Sequence, residues 1–412
     1  MENNYNSGYE NVNENYGPGS PNYYQNLYNM FGGYNPVLDK RMKNLTRLSM
    51  LAGCGVVGFI ILQYCVAMLL NVTGLYNAYA DSAIIQYAFD AFASTVYIMI
   101  PFSVVYAMYR PREKTLGTIY EAPKSPQTFI LAVFAGLMVC FVGDYLTSYI
   151  SQAASVVGME FSQADTPMPE TLSECFLYFV AFAVVPALVE EFAFRGVVMQ
   201  PLRKYGDWFA IIMSSAFFAL LHGNMVQIPF AFVAGMALGF FRIKTGSIWT
   251  SVVIHFFNNA ISVVASIYYN NHPDASELPY YVIFGAIFVI GLFALILIVK
   301  SGGYRLRKDR SGLDLKIRTA GYLATPTTIF LLGYAFFTSM AYTRITRPAG
   351  FLICIAVAAA VGFFLLRGIG LIRNDNRISY GGQYKLSRVL AVLYMIFAVG
   401  TVGVFMGGAA GY

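Results

Sequence analysis

Seven ionisable side chains lie inside the long apolar stretches of this chain: Asp90, Asp144, Glu190, Glu191, Arg195, His222 and His255. Five of them fall between residues 190 and 255. A charge in a membrane-length helix is costly, so such groups mark a functional site by default. In VVPALVEEFAFRGVVMQ, Glu191 and Arg195 stand four residues apart, share a helix face and can pair. Glu190 is turned about 100° away from Glu191 and has no cation beside it on the helix. Burial then disfavours its charged form, which suits a general base that takes a proton from water. His222 ends FFALLHGN, four residues after Phe218, and His255 and Asn259 in SVVIHFFNNA are again four apart. A histidine and an amide on one face can stabilise a developing oxyanion.

Each pair also has a structural reading. Glu190, Glu191 and Arg195 could be a salt-bridged packing network, and His222 could bond a carbonyl. His255 and Asn259 could be interhelical glue worth around 1 kcal/mol. The third histidine, His272, sits in the NNHPD loop and is given no role.

The elements that must position these groups are helices in a membrane. The chain is 57% hydrophobic and 12% charged, with mean hydropathy +0.57, whereas about a quarter of residues are charged in soluble domains. Runs of about 20 apolar residues span the hydrocarbon core. They occur at approximately 48–70, 84–108, 128–150, 175–198, 208–222, 226–242, 248–268, 280–299, 323–343, 351–367 and 389–410. The fold class is therefore all-α, a polytopic bundle of about eleven spans. The 208–222 and 226–242 segments are short, separated by Gly223, Asn224 and Met225, and read as tilted or as a broken pair lining a cavity. Counted from the expected cytoplasmic ends, Glu190 and His255 lie roughly 10 Å deep and His222 about twice as deep. The 208–222 helix must then start late, tilt or break.

Residues 1–43, rich in Asn, Tyr and Gly, read as a disordered cytoplasmic tail. Two helices follow over 44–127, then a core over 128–300, then a loop and three more helices over 301–412. Cys54, Cys65, Cys140, Cys175 and Cys354 stand singly in apolar runs and indicate neither disulfides nor a thiolate metal site. Cations gather in alternate loops: Lys40 to Arg47, Arg110 to Lys124, Arg203 and Lys204, Arg242 and Lys244, Lys300 to Arg318, and Arg367 to Arg388. The opposite loops carry Asp81, Glu160, Asp165, Glu170, Glu174, Asp274 and Glu277, with Arg344 and Arg347 as exceptions. The positive-inside rule puts the N-terminus in the cytoplasm, in a multi-pass protein of the plasma membrane. Topology and anionic lipid account for the net charge of +6, so no nucleic-acid partner is implied.

Taken in order, EExxxR at 190–195, FxxxH at 218–222 and HxxxN at 255–259 resemble the CPBP family, which groups type II CAAX prenyl endopeptidases with Abi-type bacteriocin-processing and immunity proteins. The likeness covers roughly residues 128–300. It implies an intramembrane protease in which Glu190 and His222 activate water and His255 and Asn259 hold the oxyanion. Glu191, Arg195 and Phe218 take supporting roles, and the partner is a peptide or a membrane-anchored protein. The family is described both as metal-dependent and as metal-free. Glu190, His222 and His255 are chemically adequate as a three-ligand zinc site, although HExxH spacing is missing. A scaffold or immunity factor on the same fold, and a transporter with Asp90, Asp144 and Glu190 as relay carboxylates, are the competing classes. The partition of cations has a direct test: a reporter fused near Arg307 should read cytoplasmic and one near Asp274 external. The reverse pattern would overturn both the helix count and the orientation.

Overall fold

The computed structural model describes residues 33–109, 121–300, 306–379 and 383–409, the side chains of 383 and 403–409 excepted. Most of the expected tail, and Arg110, Arg112 and Lys114, lie outside the described residues.

Helix α1 (Pro36–Thr73) begins ahead of Lys43, where the tail was expected to end. Local chemistry explains the start: the Asn35 side chain accepts from the N–H groups of Val37 and Leu38, and Pro36 occupies the first turn, where its missing N–H is harmless. Then come α2 (Leu75–Asp81), α3 (Ala83–Tyr109), α4 (Pro126–Val156) and α5 (Leu172–Tyr205). The α5 start carries a Thr171/Glu174 capping box. Helices α6 (Asp207–Leu221), α7 (Ile228–Thr245), α8 (Ile248–Asn271) and α9 (Leu278–Lys300) complete the central part. The last group is α10 (Leu315–Leu323), α11 (Pro326–Ala341), α12 (Pro348–Arg373) and α13 (Gln383–Ala409).

All eleven expected segments are helical, and the protein is an all-α, multi-pass integral membrane protein. Among the described residues nine helices are long and apolar enough to cross a bilayer, and the α10–α11 pair, bent by 70°, makes up to ten. The eleventh, α6, is shorter. Large apolar side chains on α9, such as Val282, Val289, Phe293 and Val299, point outward, as a lipid solvent requires. Inside, α4 packs against α7, α8 and α9, while α1 packs against α3, α10 and α11. Helix α5 lies between the two groups, with Phe194 buried against Phe102 of α3 and Phe218 of α6.

The mismatch in depth between Glu190 and His222 resolves, while His255 still stands seven positions after the start of α8. Helix α5 continues to Tyr205 rather than ending near 198, and α6 starts at Asp207 after Gly206, whose φ of 101° reverses the chain. Glu190 therefore stands fifteen positions before the end of α5, and His222 fifteen positions after the start of α6. The two are level along antiparallel neighbours. Beyond His222, Gly223 turns the chain at φ 66°, and any Cβ there would sit 2.8 Å from Thr338 Oγ1.

The loops sort onto two ends as the cations suggested. At one end, Arg41 donates to the Ser311 carbonyl, the Arg307 N–H to Asp207, the Asn35 N–H to the Arg377 carbonyl, and Arg377 pairs with Asp314. At the other, β1 (Met159–Phe161) and β2 (Thr343–Ile345) form an antiparallel pair. Here the two exceptional arginines find partners: Arg344 lies 3.8 Å from Glu160, and Arg347 donates to the Val156 carbonyl at 2.8 Å. Glu160 stands directly opposite Arg344, and Cβ atoms so placed are about 5 Å apart. A Glu160→Cys/Arg344→Cys protein should form a disulfide on mild oxidation, read as a cross-linked peptide by mass spectrometry. No cross-link would mean that these two loops do not meet.

Candidate active site

The site is built on Glu191. Its side chain and that of Arg195 are both 0% exposed, and Arg195 Nη1 donates to Glu191 Oε1 at 2.9 Å. With no water to share, the pair depends on its geometry. Phe218 supplies part of that geometry: the Arg195 guanidinium carbon lies 4.4 Å above its ring, a cation–π contact. Gly235 of α7 supplies the room, because a Cβ there would stand 3.2 Å from Arg195 Nη2. The same phenyl ring meets His222 edge-on at 4.9 Å and His255 at 6.0 Å. The first residue of FxxxH is thus the common wall of both histidines and the arginine.

Glu191 Oε1 also faces His255 Nδ1 at 3.1 Å. A carboxylate can only accept there, so Nδ1 carries the proton and Nε2 is left to face the cavity. His255 Nε2 lies 3.8 Å from Glu190 Oε2, and the Glu190 side chain retains 17% exposure where that of Glu191 has none. His222 is fixed in the same manner. Its Nδ1 lies 2.9 Å from the Phe218 carbonyl, a pure acceptor, which leaves Nε2 of the neutral ring able to take a proton.

Asn259 has a local task that the sequence alone did not reveal. Pro186 has no N–H to offer the carbonyl of Phe182 four residues before it, and α5 widens to a π-helix over Val180–Val184. Asn259 Nδ2 donates to that Phe182 oxygen at 3.2 Å, and its Oδ1 accepts from Asn258. The interhelical-glue reading thus holds for one amide hydrogen, and the second remains. A further π segment, Glu191–Val198, follows Glu190 directly. Such segments recur at functional sites.

Glu190, His222, His255 and Asn259 line one cavity of about 350 Å³, with Phe218, Asn258 and Gln227. Glu190 and His222, with Phe182 and Pro186, also line a second cavity of about 410 Å³ that extends to Gln63, Asn71, Tyr79 and Asp90. The four site residues read from the sequence are therefore brought together. Asn258, Gln227 and Gly235 were missed, although the Asn258–Asn259 doublet offered a signal for the first. Asp90 accepts from Tyr79 at 3.0 Å in the second cavity, while Asp144 lies on the exposed face of α4, outside both. The proposed zinc set needs correcting: among the described residues no three His, Cys, Asp or Glu side chains are grouped as a metal cage. Glu190, His222 and His255 line the same cavity but do not form such a group.

Residues 172–261 match the family described as type II CAAX prenyl endopeptidase Rce1-like. The chain is also 22% identical over 136 residues to the Bacillus subtilis (strain 168) protein titled "Putative membrane peptidase YdiL". That alignment covers 33% of this chain and 55% of the relative, so the chain spans about half the relative's length. No solved structure matches.

The buried pair and the cavity carboxylate should respond differently to substitution. Arg195→Ala leaves Glu191 charged and unmatched, a loss of about 3–5 kcal/mol, seen as reduced folded protein and a lower thermal midpoint. Glu190→Gln should keep the wild-type midpoint. An Arg195→Ala protein of normal abundance and stability would remove the pair from its structural role.

Proposed function

We propose, on the premise that residues 172–261 are an Rce1-like segment, that this chain is an intramembrane endopeptidase that hydrolyses a peptide bond in a peptide or membrane-anchored protein. The observation that carries the reading is that Glu190 and His222 stand on the wall shared by two cavities. An extended peptide needs room on both sides of its scissile bond. Here that room meets at the two groups best suited to activate water.

Glu190 and His222 Nε2 hold a water, and one of them takes its proton as the water oxygen bonds to the peptide carbonyl carbon. The charge that develops on the carbonyl oxygen is met by the remaining Asn259 N–H and by His255 Nε2–H. His255 can donate there only as the imidazolium, because its other proton is committed to Glu191; Glu191 is thus its counter-ion as well as that of Arg195. The abstracted proton passes to the amide nitrogen as the C–N bond breaks, and the second water proton follows from the new carboxyl to the amine, leaving a carboxylate and an ammonium group. No step runs through a metal.

The orientation follows the cations: N-terminus cytoplasmic, in the plasma membrane, with a catalytic core over 128–300 flanked by two helices before it and three after it. A proton-coupled transporter relaying through Asp90, Asp144 and Glu190 fits poorly, because Asp144 shares neither cavity with Glu190.

Residues acting as one unit lose activity non-additively. Glu190→Gln and His222→Ala should each abolish turnover with the fold intact, and the double variant should be little worse than either. Asn259→Ala should keep a residue of activity, falling on the order of a hundred- to a thousandfold. Substrates come from comparing membrane proteomes with and without the protein, confirmed with purified protein in lipid. Chelation should leave turnover unchanged, whereas loss with recovery on zinc would reinstate a metal. Identical proteomes for wild type and Glu190→Gln would sink the protease reading and favour the scaffold.

A further inference from the structure

A third cavity lies away from the catalytic groups, at the end of the bundle where the basic loops gather. It measures about 400 Å³ and is lined by Lys124, Arg203, Arg242, Lys244 and Arg307, with Glu121 as the one acid in its wall. Solvated cations at a membrane surface would normally explain such a cluster. Arg242 resists that explanation. It is 3% exposed, its Nε is buried without a hydrogen-bond partner, the strongest charge acting on it is another cation, Arg203, and the carboxylate that also acts on it, Glu191, is already paired with Arg195 and His255. A guanidinium presents five donors in a fixed plane and loses hydration on burial, so one held like this lacks its counter-charge.

The surroundings suit an anion. Arg203 is matched by Asp207, with Nε donating at 2.8 Å, which leaves Arg242, Lys124 and Lys244 without a carboxylate partner among the described residues. Lys124 reaches across to Gly246, where an added Cβ would lie 3.7 Å from its Cε. It therefore closes the cavity opposite α7. Ser125 and Thr128, at the start of α4, complete the wall, and a helix start favours negative charge.

We propose that this cavity binds a phosphate group, with Arg242 as the buried anchor and Lys124 and Lys244 as rim contacts. Phosphate fits the donor set because its several oxygens can accept from guanidinium and ammonium groups together. The position also places the site level with the headgroups of the leaflet that the basic loops face. The group could be a phospholipid headgroup or free phosphate, and binding is separable from proteolysis because no catalytic group lines this cavity.

The test uses the full chain purified in a phosphate-free non-ionic detergent. Phosphatidylglycerol, inorganic phosphate and diacylglycerol are added separately, with retention read by native mass spectrometry and stability by the thermal midpoint. Wild type should retain phosphatidylglycerol or bind inorganic phosphate with a raised midpoint, and diacylglycerol should do neither. Lys124→Gln/Lys244→Gln, which alters only the rim, should weaken binding by about tenfold or more, as expected for lost charge-assisted contacts. Arg242→Gln should abolish it, and Lys316→Gln, outside the cavity, should bind as wild type. Phosphatidylglycerol alone would identify a headgroup site, and inorganic phosphate alone a free-phosphate site; either upholds the proposal. Binding of neither, equal binding by the rim double variant, or equal retention of diacylglycerol would overturn it. Glu190→Gln should bind undiminished, so failure of the protease reading and failure of this one show in different measurements.

Discussion

One carboxylate oxygen holds the centre of the bundle. Glu191 Oε1 takes Arg195 at 2.9 Å and His255 at 3.1 Å, in a place that water does not reach. A buried charge left unmatched costs several kcal/mol, so the helices carrying these groups are not free to rotate or slide independently. Helix α5 brings the acid and the guanidinium, α8 the imidazole, α6 the phenyl ring over which the guanidinium lies, and α7 the glycine that lets it lie there. Lipid offers little hydrophobic drive between helices, so packing and polar contacts of this kind must set their positions. The cavity lined by Glu190, His222, His255 and Asn259 is the space that remains once this contact is satisfied.

Helix α5 widens to π geometry twice, over Val180–Val184 and Glu191–Val198. Pro186 cannot satisfy the Phe182 carbonyl, the helix widens over Val180–Val184, and Asn259 of α8 supplies the missing donor. The second π segment begins at Glu191, at the residue most tightly held by the ion pair. An unsatisfied backbone carbonyl at membrane depth is expensive. Asn259 therefore ties α5 to α8 near the cavity even before any substrate arrives. Its dual position explains why a residue that fits an oxyanion role also looks like structural glue.

Much of this was legible in the sequence because charges are rare in membrane helices. The spacing of Glu191 and Arg195 gives their pairing directly, and the one-face spacing of His255 and Asn259 turns both toward the same neighbour, which the structure shows to be α5. The depth of Glu190 was misjudged because Arg203 and Lys204 read as loop cations, whereas α5 runs on to Tyr205. Helix ends in membranes are poorly marked by composition when the flanking residues are themselves good helix formers. Gly235 could not be singled out, since small residues are frequent in such helices and only the position of Arg195 gives this one its importance. The pairing of Arg344 with Glu160 was equally hidden, because it depends on strands of three residues brought together from distant parts of the chain. The zinc reading rested on residue chemistry alone, and chemistry without convergence does not make a cage.

Glu190 and Glu191 are identical and adjacent, yet the fold gives them different work. Glu191 is spent on two cationic partners and has no exposure, so it cannot reach a water without giving up the contacts that hold four helices in place. Glu190 has His255 only at 3.8 Å, keeps part of its surface open, and stands where two cavities meet. Exchange of roles would require α5 to turn by about one residue, roughly 100°, and Arg195 would then lose its carboxylate and its place over Phe218. The ion pair thus does more than stabilise. By fixing the rotation of α5 it decides which of two equivalent carboxylates faces the cavity, and two neighbouring acids separated in this way by environment are what acid–base chemistry in a single site requires.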